Sequence, residues 1–151
     1  MRITTNKKDI EFKCDLVYFK EGQLIANKLI NTCLLGNNKD CIGLAHNQIK
    51  GNKNIFVARI NNKWKSFINA EIVNHSKECL KHSEGCMSFP NKYNKVNRFN
   101  WVTIKHQIKA RNNNEGNAFI NETFYNGESC IIQHEIDHLK GIHIFNKEII
   151  K

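Results

Sequence analysis

Two histidines near the end of the sequence have the spacing of a helical metal site. They are His134 and His138, in the segment QHEIDH at residues 133–138. Residues four apart lie on the same face of an α-helix, so both imidazoles can point at one metal ion. Glu135 can reach a water at that ion without coordinating the metal, as a general acid/base must. A surface helix with two unrelated histidines is the alternative, but three ionisable groups in an apolar helix are costly to bury without partners.

A catalytic metal usually takes three protein ligands and leaves one position open, so a third ligand is needed. Downstream of His138 only His143 and Glu148 could serve. Upstream, the segment SEGCMSFP at residues 83–90 places Cys86 beside a glycine. A thiolate is a strong ligand for zinc or ferrous iron, and a neighbouring glycine allows close backbone approach to a bound group.

A third segment, CIGLAHNQIK at residues 41–50, combines small residues with a neutral amide. Gly43 and Ala45 indicate a tight turn, and the Gln48 side chain could donate a hydrogen bond to a developing oxyanion. A loop with a surface glutamine would have the same sequence.

Two helices and four strands must position these residues. The segment 126–141 predicts a C-terminal helix, with Asn126 as a possible N-cap, Glu128 in the first turn and Gly141 after the end. Apolar residues at helical spacing predict an N-terminal helix over about 22–35, with Gly36 as its C-cap. Segments rich in β-branched and aromatic residues predict strands at 54–60, 64–75, 101–108 and 118–125. We therefore expect an α+β fold, with antiparallel or mixed sheets packed around the metal-bearing helix.

The bulk properties fit one domain over residues 1–151. The 23 Lys and Arg residues exceed the 14 Asp and Glu residues and give a net charge of +9. An anionic partner is therefore an option, but the lysines are spread along the chain, which favours a solvated surface over a nucleic-acid site. No secretion signal or membrane span is evident, so we expect the six cysteines to be reduced thiols in a cytosolic protein.

The three segments together resemble the peptide deformylases, whose ordered motifs are G-φ-G-φ-A-A-x-Q, E-G-C-φ-S and Q-H-E-x-D-H. They occur here as CIGLAHNQ, EGCMS and QHEIDH. The second and third match at every specified position, whereas Cys41, His46 and Asn47 depart from the first. His46 could be taken for a fourth metal ligand, but a loop histidine is favoured.

The resemblance implies an enzyme that removes the formyl group from N-formylmethionyl peptides and releases formate. It implies one divalent metal ion, Fe(II) in the cell, with Zn, Ni or Co possible in preparations. It also assigns the site residues: Cys86, His134 and His138 as metal ligands, Glu135 as general acid/base, Gln48 and the backbone N–H of Met87 as oxyanion donors, and Gly43 beside the peptide.

Further expectations concern the surroundings of the site. We expect Ile42, Cys130 and Ile131 to line a pocket for the methionine side chain, although ordinary core positions are an equal alternative. Glu84 is expected to pair with Arg98 and steady the Cys86 loop. Gln133 is expected to support the site from behind the ligands.

The resemblance also bears on partners and location. It implies nascent chains as substrates, weak ribosome contact through the basic surface, no membrane, no specific nucleic acid, and a cytoplasmic monomer. The chain ends at Lys151 and resembles minimal family members that lack a C-terminal docking helix, some of them phage-encoded and acting in the bacterial host.

Two other classes of protein share parts of this pattern. An H-E-x-x-H metallopeptidase would need a further downstream ligand. A structural zinc site in a nucleic-acid-binding module would normally have four protein ligands, and no second cysteine lies within four residues of Cys86.

Overall fold

The computed structural model describes residues 2–110 and 117–147 and has two α-helices and seven β-strands in those ranges. The helices are α1 (Phe19–Cys33) and α2 (Asn126–Leu139). The strands are β1 (Gly43–Ala45), β2 (Ile55–Ile60), β3 (Lys63–His75), β4 (Cys79–Cys86), β5 (Phe89–Phe99), β6 (Trp101–Lys109) and β7 (Asn117–Tyr125). The predicted α+β fold is confirmed.

The strands form two antiparallel sheets. One has five strands in the order β1-β2-β3-β6-β7, and the other is the β4-β5 hairpin. The four predicted strands correspond to β2, β3, β6 and β7, each within one residue of the expected ends. Strand β1 lies at an edge of the larger sheet, which leaves one of its sides open for pairing.

The five-stranded sheet lies between the two helices. In β2, Phe56 and Ala58 belong to the apolar cluster that contains the α2 residues Ile132 and Ile136. The alternate residues Ile55 and Val57 belong to the cluster that contains the α1 side chains. Because side chains alternate across a strand, a continuous apolar segment such as NIFVARI fits a strand that is covered on both faces.

Helix α1 differs from its prediction at both ends. It begins at Phe19 rather than residue 22 and ends at Cys33, with Leu34 as its C-cap. Gly36, predicted as the cap, instead begins a short 3₁₀ turn at Gly36–Asn38. The side chain of Asn38 donates to the carbonyl of Thr32 at 2.7 Å, so this turn satisfies part of the helix end.

Helix α2 begins where expected but is capped differently. Tyr125 is the N-cap, and Asn126 is the first helical residue, with a φ of 54°. Gly141 follows the helix with a φ of 80°, and a β-carbon there would lie 2.7 Å from the backbone nitrogen of Phe12. A glycine is therefore required where the chain leaves the helix and passes the N-terminal segment.

The strands β1, β4 and β5 were not predicted. Strand β1 has only three residues, too few for a periodic signal. Most residues of the β4-β5 hairpin are polar or partly exposed, so its sequence resembles a surface loop. This hairpin carries Cys86, so an element that was missed positions one of the candidate metal ligands.

The expectation of six reduced thiols is wrong for one pair. Cys33, at the end of α1, forms a disulfide with Cys41, and their Cα atoms are 5.4 Å apart. This separation lies within the range for disulfides, because the loop after α1 folds back onto its last turn. The other four, Cys14, Cys79, Cys86 and Cys130, are free.

None of the helices in the described ranges is both long enough and apolar enough to cross a membrane.

Candidate metal centre

Cys86, His134 and His138 form a group that could hold a metal ion. Their nearest ligand atoms lie within 4.8 Å of one another, and Cys86 Sγ is 3.3 Å from His138 Nε2. Ligands at zinc-like bond lengths around one tetrahedral ion would lie about 3.5 Å apart. One thiolate and two imidazoles at these separations therefore fit a single divalent metal ion of the zinc or ferrous type.

The local structure explains why these three side chains meet. His134 and His138 are one helical turn apart on α2, and their ring centroids are 5.0 Å apart. Cys86 ends β4, where the register of the hairpin shifts between Gly85 and Cys86. The other candidates lie elsewhere. His143 pairs with Glu11 at 2.8 Å, and His46 Nδ1 accepts from the backbone N–H of Lys53 at 3.2 Å.

No fourth His, Cys, Asp or Glu joins this group within residues 2–110 and 117–147. Glu148, the remaining candidate, lies outside the described residues. Three protein ligands are the usual number for a catalytic metal site, whereas a structural zinc site usually has four. The group therefore has the ligand number of a catalytic site.

A buried carboxylate orients the first histidine. Glu84 Oε1 accepts from His134 Nδ1 at 2.8 Å, which leaves His134 Nε2 for the metal group. Burial alone would raise the pKa of Glu84, but hydrogen bonds from Arg98 and His134 outweigh it and hold that pKa well below its ordinary value. Glu84 is therefore ionised and acts only as an acceptor.

Arg98 completes this network beneath the metal group. It donates from Nε and Nη2 to the two oxygens of Glu84 at 2.8 and 2.7 Å, and from Nη1 to Asp137 at 2.6 Å. The predicted Glu84–Arg98 pair is confirmed. Lys147 also reaches Asp137, at 3.0 Å. Through Arg98 on β5, the network links β4 and α2, the two elements that carry the three candidate ligands.

The pKa values of His134 and His138 are shifted in opposite directions. Burial lowers the pKa of His138, and the charge of His134 lowers it further. For His134, hydrogen bonds with Cys86 and Glu84 outweigh burial and raise its pKa to about 10. A proton must therefore leave His134 before this side chain can coordinate a metal.

Glu135 lies beside the metal group with one oxygen unpaired. It is buried, and its Oε2 has no hydrogen-bond partner among the described residues. Burial raises the pKa of Glu135 to about 7. An ideal β-carbon on Gly43 would lie 2.8 Å from Glu135 Oε1, so β1 passes this carboxylate at close range. A carboxyl group of this pKa can both accept and release a proton near neutral pH.

Gln48 is buried, so the alternative of a surface glutamine is wrong. Its Oε1 accepts from the backbone N–H of Ala45 at 3.0 Å, which fixes the orientation of the amide. Its Nε2 donates to Cys86 Sγ at 3.6 Å and to Ser88 Oγ at 3.2 Å. The amide NH₂ therefore faces the metal group, and Ser88 is a neighbour that the sequence analysis missed.

A cavity of ≈ 910 Å³ opens beside the metal group. It lies between β1, the β4-β5 hairpin and α2. All four residues predicted to contact substrate line it, namely Ile42, Gly43, Cys130 and Ile131, together with Gln48, Cys86, Met87, His134 and Glu135. Met87 follows Cys86 in the turn of the hairpin. The cavity wall also includes His82, which the sequence analysis did not single out.

Two buried amides hold α2 in place. Gln133 pairs with the backbone N–H and carbonyl of Phe99, both at 2.9 Å, so it supports the site by anchoring α2 to β5. Asn47 donates to the carbonyl of His138 at 2.6 Å and to that of Ile10 at 3.3 Å. An asparagine in a loop usually indicates a turn, so the sequence carried no signal for this role.

The family model for polypeptide deformylases matches residues 3–149. The chain therefore belongs to the polypeptide deformylase family.

Individual relatives agree with this assignment. The chain is 37% identical over 103 residues to the peptide deformylase of Pseudothermotoga lettingae, covering 68% of this chain and 56% of that protein. It is 37% identical over 109 residues to the peptide deformylase of Fusobacterium nucleatum, covering 72% of this chain and 59% of that protein. The alignments thus span less than two thirds of the length of these relatives.

Solved structures show a similar fold. The crystal structure of the peptide deformylase from Thermotoga maritima matches with a TM-score of 0.84 at 25% identity, covering 99% of this chain and 97% of that chain.

Proposed function

We propose that this protein is a metal-dependent peptide deformylase, a single catalytic domain over residues 1–151. It hydrolyses the formyl group of N-formylmethionyl peptides to formate and a free amino terminus. The observation that carries this proposal is the buried Glu135 carboxylate beside the Cys86–His134–His138 group, with one oxygen that no described residue pairs with. Membership of the polypeptide deformylase family supports the choice of the formyl amide as the bond that is cleaved.

Cys86, His134 and His138 would hold one divalent metal ion. Fe(II) is the proposed metal in the cell, with Zn, Ni or Co able to replace it in preparations. When bound, the ion would supply a Lewis acid that makes a water more acidic and polarises the formyl carbonyl. Glu84 fixes the orientation of His134 through its hydrogen bond to Nδ1.

Glu135 is the proposed general acid/base. Its unpaired Oε2 accepts the proton of the attacking water and then delivers a proton to the departing amine. Because Glu135 is buried against Gly43, its carboxylate is held in one place and does not require reorganisation during the reaction.

Gln48 and the backbone N–H of Met87 are the proposed oxyanion donors. The Gln48 amide is oriented by its bond to Ala45, and its NH₂ faces the metal group. Two fixed donors at the site where charge develops would stabilise the tetrahedral oxyanion.

The peptide is proposed to bind as an added strand along β1. This strand is an edge strand, and Gly43 in it lines the cavity. A substrate backbone can therefore complete the hydrogen bonding of β1 while its first side chain enters the pocket formed by Ile42, Cys130 and Ile131.

The cellular setting follows from this reaction. Newly made chains in the cytoplasm are the proposed substrates of a monomeric enzyme, without association with a membrane or with specific nucleic acid. The net charge of +9 would favour weak contact with the anionic ribosome surface.

Formate release from formyl-Met-Ala-Ser tests this function. The protein, prepared anaerobically with its metal, should release formate from this peptide and leave acetyl-Met-Ala-Ser intact. Glu135→Gln should retain metal and lose turnover, whereas Cys86→Ala or His138→Ala should lose metal. Cleavage of internal peptide bonds without release of formate would overturn the proposal in favour of a metallopeptidase. Salt-sensitive binding to RNA without any hydrolysis would favour a nucleic-acid-binding module.

A further inference from the structure

His82 lies on the face of β4 that serves the candidate metal centre. Side chains alternate along a strand, so Leu80, His82, Glu84 and Cys86 share one face. On that face, Cys86 belongs to the metal group and Glu84 orients His134. His82 lines the cavity, and no part of the proposed reaction uses it.

The hydrogen bond between His82 and Glu84 fixes the orientation of the His82 ring. His82 Nδ1 lies 2.9 Å from Glu84 Oε2. Glu84 is ionised and can only accept, so His82 Nδ1 carries a hydrogen and donates it. Arg98 and His134 also donate to this carboxylate and hold it in place. The carboxylate in turn fixes the orientation of the His82 ring.

The remaining ring nitrogen of His82 is available to a ligand. The side chain of His82 is 40% exposed, whereas that of Glu84 is 6% exposed. With Nδ1 turned toward buried Glu84, Nε2 lies on the opposite side of the ring. This nitrogen accepts a hydrogen bond when the imidazole is neutral and donates one when it is charged.

His82 lines the same cavity as the residues of the pocket proposed for the first side chain of the substrate. Cys130 lies one helical turn before His134 on α2, and both line the cavity. Glu84 Oε1 lies 2.8 Å from His134 Nδ1, so the carboxylate that holds His82 contacts the next turn of the same helix. His82 is thus linked to the surroundings of His134 through Glu84, and Cys130 is linked to them through α2, and both line the cavity.

We propose that His82 is a specificity-determining residue, which allows this enzyme to accept N-formyl peptides whose first side chain has the length of methionine but ends in a polar amide. A glutamine side chain carries a donor and an acceptor on its δ carbon, so it can pair with His82 Nε2 in either protonation state of the imidazole. An aliphatic residue at position 82 would leave that amide without a partner. This inference rests on the proposed deformylase function.

The test compares kcat/KM for formyl-Gln-Ala-Ser and formyl-norleucine-Ala-Ser, which are similar in length and differ in polarity. In His82→Leu, the glutamine-to-norleucine ratio should fall about fivefold relative to the unmodified protein, as expected for one lost hydrogen bond. The exposed His75, outside the cavity, provides the matched control, and His75→Leu should leave the ratio unchanged.

A second variant separates substrate contact from support of Glu84. In His82→Asn, the side-chain amide can still donate to Glu84 but is too short to present a second polar atom to the cavity. Metal content and activity on formyl-norleucine-Ala-Ser should then be retained while the ratio falls as in His82→Leu. If His82→Leu loses metal, the glutamine-to-norleucine ratio measured for His82→Asn tests the proposal instead.

These measurements distinguish failure of the role proposed for His82 from failure of the proposed deformylase function. A change in the ratio of less than twofold in an active, metal-loaded variant would overturn the role of His82 and leave the deformylase function intact. Absence of formate release from formyl-Met-Ala-Ser by the unmodified protein would instead overturn the proposed function on which this inference rests.

Discussion

Arg98 and Glu84 form a two-pronged ion pair in the interior of the protein, with donor–acceptor distances of 2.8 and 2.7 Å. Arg98 is 1% exposed, and the same guanidinium also reaches Asp137 on α2. A planar guanidinium suits this arrangement because its donors lie in a fixed fork. The hairpin that carries Cys86 and the helix that carries both histidines are therefore joined by one side chain.

Replacement of Arg98 by methionine should destabilise the protein strongly. The substitution leaves Glu84 and Asp137 buried without their main cation, and breaking such a pair costs about 3–5 kcal/mol. Urea unfolding measures this loss. The control is Lys65→Met, which breaks a partly exposed pair with Glu122 and should cost less than about 1 kcal/mol. Equal losses for the two variants would contradict the structural role assigned to Arg98.

The stability of the protein should fall in acid because of Glu84. Its pKa in the folded state lies well below 4.5, its value without interactions. The contribution of the ionised carboxylate is therefore fully present above about pH 4.5 and is lost as the pH falls toward the folded-state pKa. At pH 7, the free energy of unfolding of the unmodified protein should exceed that of the Glu84→Gln variant. This difference between the two proteins should shrink below pH 4.5. A difference that stays constant from pH 7 to pH 3 would contradict this prediction.

Replacement of Gly43 by alanine should reduce activity more than stability. The added carbon would lie 2.8 Å from Glu135 Oε1, so the buried carboxylate must move. A displacement of about 1 Å in a catalytic site can cost about 100-fold in rate. The measurement is kcat for formyl-Met-Ala-Ser, together with a thermal unfolding curve.

Gly127 provides the control for this substitution. It lies in the first turn of α2, and a β-carbon there meets no described residue within 4 Å. Gly127→Ala should leave kcat unchanged and stabilise the helix by about 0.5–1 kcal/mol. A Gly43→Ala variant that is as active as Gly127→Ala would show that the position of Glu135 does not depend on Gly43.

The sequence predicted most of the elements that have a strong apolar period. Strand β2 and helix α2 were found because their apolar residues repeat at the spacing of a covered strand or an amphipathic helix. The β4-β5 hairpin was missed because its register depends on backbone pairing and on ionic contacts rather than on apolar side chains. The C-terminal end of α1 was shifted because Asn38, beyond the helix, satisfies the carbonyl of Thr32.

The candidate site was predicted as far as sequence spacing allows. His134 and His138 follow from helical geometry, and Cys86 joins them in the structure as the resemblance implied. His82 and Asn47 carry no such signal, because their roles depend on which side chains the fold brings near. An asparagine that reaches a carbonyl 91 positions away cannot be recognised from its neighbours in the chain.

Asn47 ties the end of α2 to the N-terminal segment. Asn47→Ala removes two hydrogen bonds, to the carbonyls of His138 and Ile10. The His138 carbonyl keeps its bond from the backbone N–H of Gly141 at 3.0 Å, whereas the Ile10 carbonyl loses its partner among the described residues. Unpaired buried groups cost about 1–3 kcal/mol, so the free energy of unfolding should fall by that amount. The exposed Asn52 is the control, and Asn52→Ala should change stability by less than about 0.5 kcal/mol. Because one lost bond is to the backbone of a candidate ligand, Asn47→Ala should also release metal faster to a chelator. A loss of stability with unchanged metal release would limit Asn47 to holding the N-terminal segment.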